Sequence, residues 1–329
     1  MKNKRLMGII GLIAAAVIGT AIYSATAGKD NKAASSNEKA KVGVLQLVSH
    51  PSLDLIYKGI QDGLAEEGYD KDKVDIDFLN AEGDQNKVAT MSKQLVDKDN
   101  QVLIGIATPS AQGLASATKD KPIVMGAVTD PVGANLVKDL KKPGGNITGT
   151  SDQSEDAIAT QVDMIKQVLP TAKTVGILYT QSEPNSVVQK DNAKKILEAK
   201  GYQVVEKTIL DSNNVKAAAD SIMSEADIVF VPTDNIISST MDTVKQVSIS
   251  HKVPVFGGSA EMVATGGLYN FGTDYEELGR QAARMAIRIM KGEKPGKVAV
   301  ETPEKLELHT NKEMAKELGI DISSLKVEK

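Results

Sequence analysis

The sequence predicts an α/β protein of two similar lobes, each a parallel sheet flanked by helices, joined by a hinge of several strands. Three observations predict it. Short apolar, β-branched runs alternate with longer helical stretches from residue 41 onward. The whole pattern restarts near residue 175, so one βαβα unit occurs twice. At 329 residues the chain is also longer than a single core usually serves, which favours two domains.

In the first unit, residues 42–48, 74–79, 102–106 and 123–128 read as buried parallel strands. Between them, stretches such as 53–68 and 86–97 carry apolar residues at spacings of three and four, the period of an amphipathic helix. The second unit repeats the strands at 175–179, 204–208, 228–231 and 253–256. This order requires parallel sheets with helices on both faces. The restart is close in detail. Val42-Gly43-Val44-Leu45 aligns with Val175-Gly176-Ile177-Leu178, and Ser49, Pro51 and Ser52 align with Ser182, Pro184 and Asn185. Leu64 and Gly68-Tyr69 then meet Leu197 and Gly201-Tyr202 without a gap, as an internal duplication would give.

Pro143-Gly144-Gly145-Asn146 breaks the pattern before residues 147–151, where a first hinge crossing is expected. Residues 268–273 would carry the chain back, an amphipathic helix over 275–291 would pack on the first lobe, and 299–308 with the helix after it would return to the second. The expected lobes are thus 42–149 with 273–298, and 150–272 with 299–329. Two domains joined by several strands suit hinge closure around a ligand.

At the N-terminus, Lys2, Lys4 and Arg5 precede an uncharged run over residues 6–27 that ends in Ala25-Thr26-Ala27, a small-x-small pattern suited to signal peptidase. The run is also about long enough to span a bilayer. Residues 1–27 are therefore expected to be a signal peptide or a retained membrane anchor, and 28–41 a solvated tether. Both place the rest of the chain outside the cytoplasm.

Composition narrows the function. A formal charge of −4 leaves no basic surface for nucleic acid. Tryptophan is absent and aromatics are 3% of the chain, which disfavours schemes built on stacked rings. There is no cysteine, hence no disulfide and no thiol nucleophile, and three histidines (His50, His251, His309) do not suggest a metal cluster. No metal or cofactor is expected. A Gly-x-Ser-x-Gly elbow and a P-loop are both missing, so the reading is not an enzyme.

In open parallel sheets the binding crevice lies beyond the C-terminal strand ends. Two facing sheets would bring six loops together: 49–52, 108–110, 129–131, 182–185, 233–235 and 259–261. Their Ser, Thr, Asp and Asn residues are first of all helix N-caps. Caps alone do not explain the charge pattern. The loops hold Asp130, Glu183, Asp234 and Glu261 but no lysine or arginine. A phosphate or a multiply carboxylated ligand calls for arginine, whereas an ammonium group calls for a carboxylate. A single ligand carboxylate can be held by hydroxyls and backbone N–H groups at a helix start. The pattern points to an α-amino acid or similar zwitterion. Asp234 or Glu261 is the expected partner of its ammonium, with Asn185 and Asn235 nearby. Thr108, Ser110 and Ser182 are the candidates for its carboxylate, Ser49 and Thr129 belong to the same loops, and Tyr179 is placed to flank an apolar side chain. His50, the one group in these loops that titrates near neutrality, is expected at the surface.

The motifs VGVLQLVSHPSLD, IGIATPSAQGLA, GAVTDPVGANLV, VGILYTQSEPNS, FVPTDNIISS and YNFGTDYEELGRQAA occur in this order along nearly all of the chain after the leader. They resemble the bacterial ABC-transporter substrate-binding proteins of the tryptophan/tyrosine-binding type. The resemblance implies two Rossmann-like lobes of the type I periplasmic-binding-protein class. It also implies an aromatic amino acid as ligand, tryptophan first, and a membrane permease as partner. Its pocket would use residues 108–112, 182–186 and 232–235. A monomer is expected. The leader departs from many Gram-positive relatives in lacking a lipobox cysteine, which leaves the form of anchoring open. An extracellular ligand-sensing subunit unconnected to transport shares the architecture and is the runner-up.

Overall fold

The computed structural model describes residues 39–153 and 156–327. The expected leader and most of the tether lie outside the described residues. Among these, no helix is long and apolar enough to cross a membrane.

The first sheet comprises β1 (Ala40–Gln46), β2 (Val74–Asn80), β3 (Val102–Ile106), β4 (Ile123–Gly126) and β5 (Ile147–Gly149), in the order β2-β1-β3-β4-β5 and parallel throughout. Val42 lies opposite Ile76 on one side and Val102 on the other. Helices cover both faces, so β3 and β4 are buried along their whole length and show no polar alternation. The helices α1 (Pro51–Glu66), α2 (Gln85–Asp97) and α3 (Thr108–Ala117) follow the first three strands. Local chemistry starts them: proline stands in the first turn of α1 and α3, and Asp84 caps α2 by accepting from the N–H groups of Asn86 and Lys87.

The second sheet holds β6 (Thr174–Thr180), β7 (Gln203–Ile209), β8 (Ile228–Val231), β9 (Val255–Gly257), β10 (Tyr269–Gly272) and β11 (Glu307–Thr310). Its order is β11-β10-β9-β8-β6-β7, parallel except for β11, which runs antiparallel to β10. Around it lie α4 (Ala157–Val168), α5 (Pro184–Ala199), α6 (Val215–Met223), α7 (Asn235–Ser239), α8 (Met241–His251) and α9 (Ala260–Thr265). Helix α10 (Tyr275–Met290) joins the first core through Leu278, Ala282 and Met285, and α11 (Lys312–Leu318) joins the second through Ala315. The chain thus passes between the cores after β5, after β10 and before β11. At the first and last crossings the segments pair: Ser151 N–H donates to the Glu301 carbonyl, and Glu301 N–H to that of Gly149.

Some elements depart from expectation for local reasons. The fourth strand stops at Gly126, short of 128, because Ala127 adopts φ 56° and turns the chain. Strand β1 ends at Gln46, where the side-chain amide donates to the Val48 carbonyl and to Asp54. Strand β10 pairs beside β9 in the second sheet, and the chain crosses after Gly272.

Helices α1 and α10 are packed backbone to backbone. A Cβ on Gly59 would stand 2.0 Å from the Glu276 carbonyl oxygen, and one on Gly279 would stand 2.2 Å from that of Ile56. No side chain can be accommodated there without parting the helices. Gly59→Val is therefore expected to cost about 3 kcal/mol or more of stability, read as a lowered urea midpoint.

Candidate ligand-binding cleft

The C-terminal ends of both sheets face each other, and the loops beyond them form a narrow cleft. From the first lobe, His50 is the extended residue preceding α1, only 6% exposed. Thr108 and Ser110 open α3 after Ala107, which holds φ 71°. A non-glycine residue in that region is strained, and with Ala127 this makes two such residues at neighbouring strand ends, a pattern common where a site must be shaped. From the hinge comes Asp152, just after β5.

The second lobe contributes two buried acids with different duties. Asp234 accepts from Thr180 N–H at 2.6 Å, Thr180 Oγ1 at 2.8 Å, Ser186 Oγ at 2.6 Å and Ile237 N–H at 2.9 Å. Both oxygens are committed within the lobe, where they cap α7 and tie it to β6 and α5. Glu183 accepts from the Asn185 amide at 2.9 Å, the Ile236 N–H at 3.0 Å and the Asn235 side chain. Burial, reinforced by the Asp234 charge, pushes Glu183 up to about 7.

The lobes touch across the cleft. His50 Nε2 meets Asn235 Oδ1 at 3.2 Å, Ser52 Oγ donates to Glu261 Oε2 at 2.8 Å, and Thr129 Oγ1 meets Thr233 Oγ1 at 3.4 Å. Burial lowers His50 to about 4, so its ring is neutral at physiological pH. Because the Asn235 amide nitrogen donates to Glu183, its oxygen faces His50 as an acceptor. The proton therefore sits on Nε2, and Nδ1 is an acceptor.

Five buried side-chain atoms in this region lack a hydrogen-bond partner: His50 Nδ1, Thr108 Oγ1, Ser110 Oγ, Asp152 Oδ1 and Asn185 Oδ1. Unpaired buried polar atoms are rare and costly. Burial raises Asp152 to about 6, against the hydrogen bond from Tyr275 Oη to its other oxygen at 2.9 Å. Four of the five residues line a constriction of about 20 Å³. Through Thr129, Asp152, Thr233 and Tyr275 it adjoins a cavity of about 430 Å³ walled by Ile158, Val188, Phe230 and Phe271.

Of the residues singled out in the sequence, Thr108, Thr129, Asn185 and Asn235 line the constriction. Ser110 is fully buried in the first turn of α3 with its hydroxyl unpartnered. Ser49, Tyr179, Ser182, Asp234 and Glu261 lie outside the linings of both cavities. Ser49 is exposed and bonds to Asp54, Tyr179 Oη donates to Gln181, and Glu261 takes the Ser52 hydroxyl. His50 is a correction: it is buried between the lobes because Asn235 and the second lobe cover it. Asp152 is not among those residues: it lies in the crossing segment after β5 and not in a strand-to-helix loop. Its signal was an acid placed directly after the hinge strand.

The model of the ABC transporter substrate-binding protein family matches residues 41–327. The chain belongs to that family. It is 38% identical to the tyrosine-binding protein of Clostridioides difficile over 97% of this chain and 94% of that one. The structure of an ABC domain in complex with L-Trp from Streptococcus pneumonia is 50% identical, with a TM-score of 0.84 over 88% of this chain and 97% of that one. A ligand-free, open structure of a substrate-binding protein with adhesive properties from Clostridium difficile has the same coverage at 37% identity, but a TM-score of 0.65. The superposition over the same coverage is thus closer for the tryptophan complex than for the open structure. The protein is a substrate-binding protein of an ABC transporter with the type I periplasmic-binding fold, and this favours transport over a separate sensor. Proteins of this family act outside the cytoplasm.

Proposed function

We propose that this substrate-binding protein captures an aromatic amino acid, tryptophan before tyrosine, between its lobes. As a monomer on the outer side of the cytoplasmic membrane, it delivers the ligand chemically unchanged to a permease. The observation that carries the reading is the set of unpartnered atoms in the cleft. His50 Nδ1, Asp152 Oδ1 and Asn185 Oδ1 are three acceptors, matching the three N–H bonds of an ammonium group. The Thr108 and Ser110 hydroxyls at the start of α3 are donors for a carboxylate, where the helix dipole also favours an anion. The cavity beside Tyr275, Phe230 and Phe271 takes the ring. The ligands named for the two relatives, tyrosine and L-Trp, agree with this chemistry.

Closure supplies the affinity. His50 and Thr108 come from one lobe, Asn185 from the other and Asp152 from the hinge, so the full set assembles only when the lobes meet. Ser52 bridges to both Ser259 and Glu261 and holds that state. A thermal-shift screen of the twenty amino acids, common sugars and nucleosides tests the reading. Tryptophan and tyrosine are expected to stabilise the protein by about 4 kcal/mol at a thousandfold excess over Kd. A shift confined to sugars or nucleosides would remove the amino-acid assignment.

A further inference from the structure

A second groove, of about 530 Å³, lies between the lobes where α10 leaves the hinge. One wall is the beginning of α10 with Asp274, Glu276, Glu277 and Gln281; the other is Glu261 with the segment around β11, including Glu304 and Glu307. Six carboxylates line it, together with Lys305 and His309. Several are already engaged. Glu276 meets Lys58 and Arg280, Glu277 meets Arg284, Glu307 meets Lys305, and Asp274 caps α10. Glu304 forms no ion pair among the described residues and is exposed to the groove.

An acidic rim alone says little; Gln281 says more. It is 4% exposed and stands on the buried face of α10 with Leu278, Ala282 and Met285, where the helical period calls for an apolar residue. Its carbonyl oxygen is buried without a donor, and the residue belongs to the lining of the groove. A buried amide acceptor under an acidic rim is matched to a cation that carries N–H bonds. Among the described residues no three His, Asp or Glu side chains are placed to hold a metal ion.

We propose that this groove binds a free organic polyamine. One ammonium group donates to Gln281 Oε1, and a second is held at the rim by Glu304 and Glu307. The walls come from both lobes, so lobe rotation changes the site. A polyamine that prefers the closed arrangement tightens amino-acid binding, and the amino acid tightens polyamine binding by the same factor. The coupling rests on the proposed amino-acid function; the site itself does not.

The experiment is calorimetric titration of the full chain with spermidine, alone and with tryptophan present, beside a magnesium chloride control. Saturable spermidine binding is expected, weakened about tenfold in Gln281→Met and in Glu304→Gln, with magnesium a poor competitor. Glu304 is exposed, so its variant reports on binding even if Gln281→Met is poorly folded. Wild-type heats no different from magnesium, or equal spermidine affinity in Glu304→Gln and a folded Gln281→Met, would overturn the site. Unchanged tryptophan affinity at saturating spermidine would overturn the coupling. A chain that takes spermidine but no tryptophan would sink the amino-acid reading and leave the polyamine site standing.

Discussion

Asp152→Asn is expected to weaken amino-acid binding by about 100- to 1000-fold while making the ligand-free protein more stable at neutral pH. Both effects follow from one carboxylate. Asp152 is buried at the hinge, one oxygen bound by Tyr275 and the other unpartnered. Burial lifts it from 3.8 to about 6. A group with a raised folded pKa contributes stability that is present below its unfolded value and lost as pH rises through the folded one. By pH 7.5 the ionised side chain costs the ligand-free state about 3 kcal/mol, which asparagine removes. Ligand reverses the sign, because an ammonium group favours the charged carboxylate. Wild-type affinity should rise about tenfold per pH unit up to roughly pH 6 and level off above it, while the asparagine variant shows no such step. Calorimetry at pH 5, 6 and 7.5 reads both. Near-wild-type affinity in the variant would place the ammonium elsewhere.

Asp234→Ala is expected to act on folding first. Its carboxylate receives four donors that link β6, α5 and α7, and the side chain is completely buried. Truncation strands those donors without water, at a cost of about 3 to 5 kcal/mol. Denaturant unfolding should show the loss with ligand absent. A variant of full stability that no longer bound ligand would return Asp234 to the role of ammonium partner.

That contrast marks how far the sequence could be read. Apolar runs bounded by helical periods identified the parallel strands, because a strand buried on both faces leaves a near-continuous hydrophobic signature, as in 102–106. The duplication was legible in the aligned Val-Gly-Val-Leu and Val-Gly-Ile-Leu strands. The antiparallel β11 was not, since Glu307–Thr310 is a half-exposed edge with no such run. At the site, sequence identified the loops but not the direction of their side chains. Thr108, Ser110 and Asn185 turn unpartnered atoms into the interior, whereas Asp234, drawn from the same kind of loop, turns inward to cap its own helix. His50 looked like a surface cap because nothing in its own segment reveals the Asn235 loop that covers it. Asp152 was hidden for a related reason: the crossing segment after β5 carries no helix-start signature, and its burial depends on both lobes meeting around it.

The measurement that tests the central claim most directly compares L-tryptophan with tryptamine and indole-3-propionate by calorimetry at pH 7.5. Each analogue keeps the ring and lacks one of the two charged groups. Hydrogen-bonding groups built for a zwitterion reject either deletion, so both analogues should bind at least about 100-fold more weakly than tryptophan. Tryptamine or indole-3-propionate binding as tightly as tryptophan would show that the unpartnered atoms of the cleft are not what recognises the ligand.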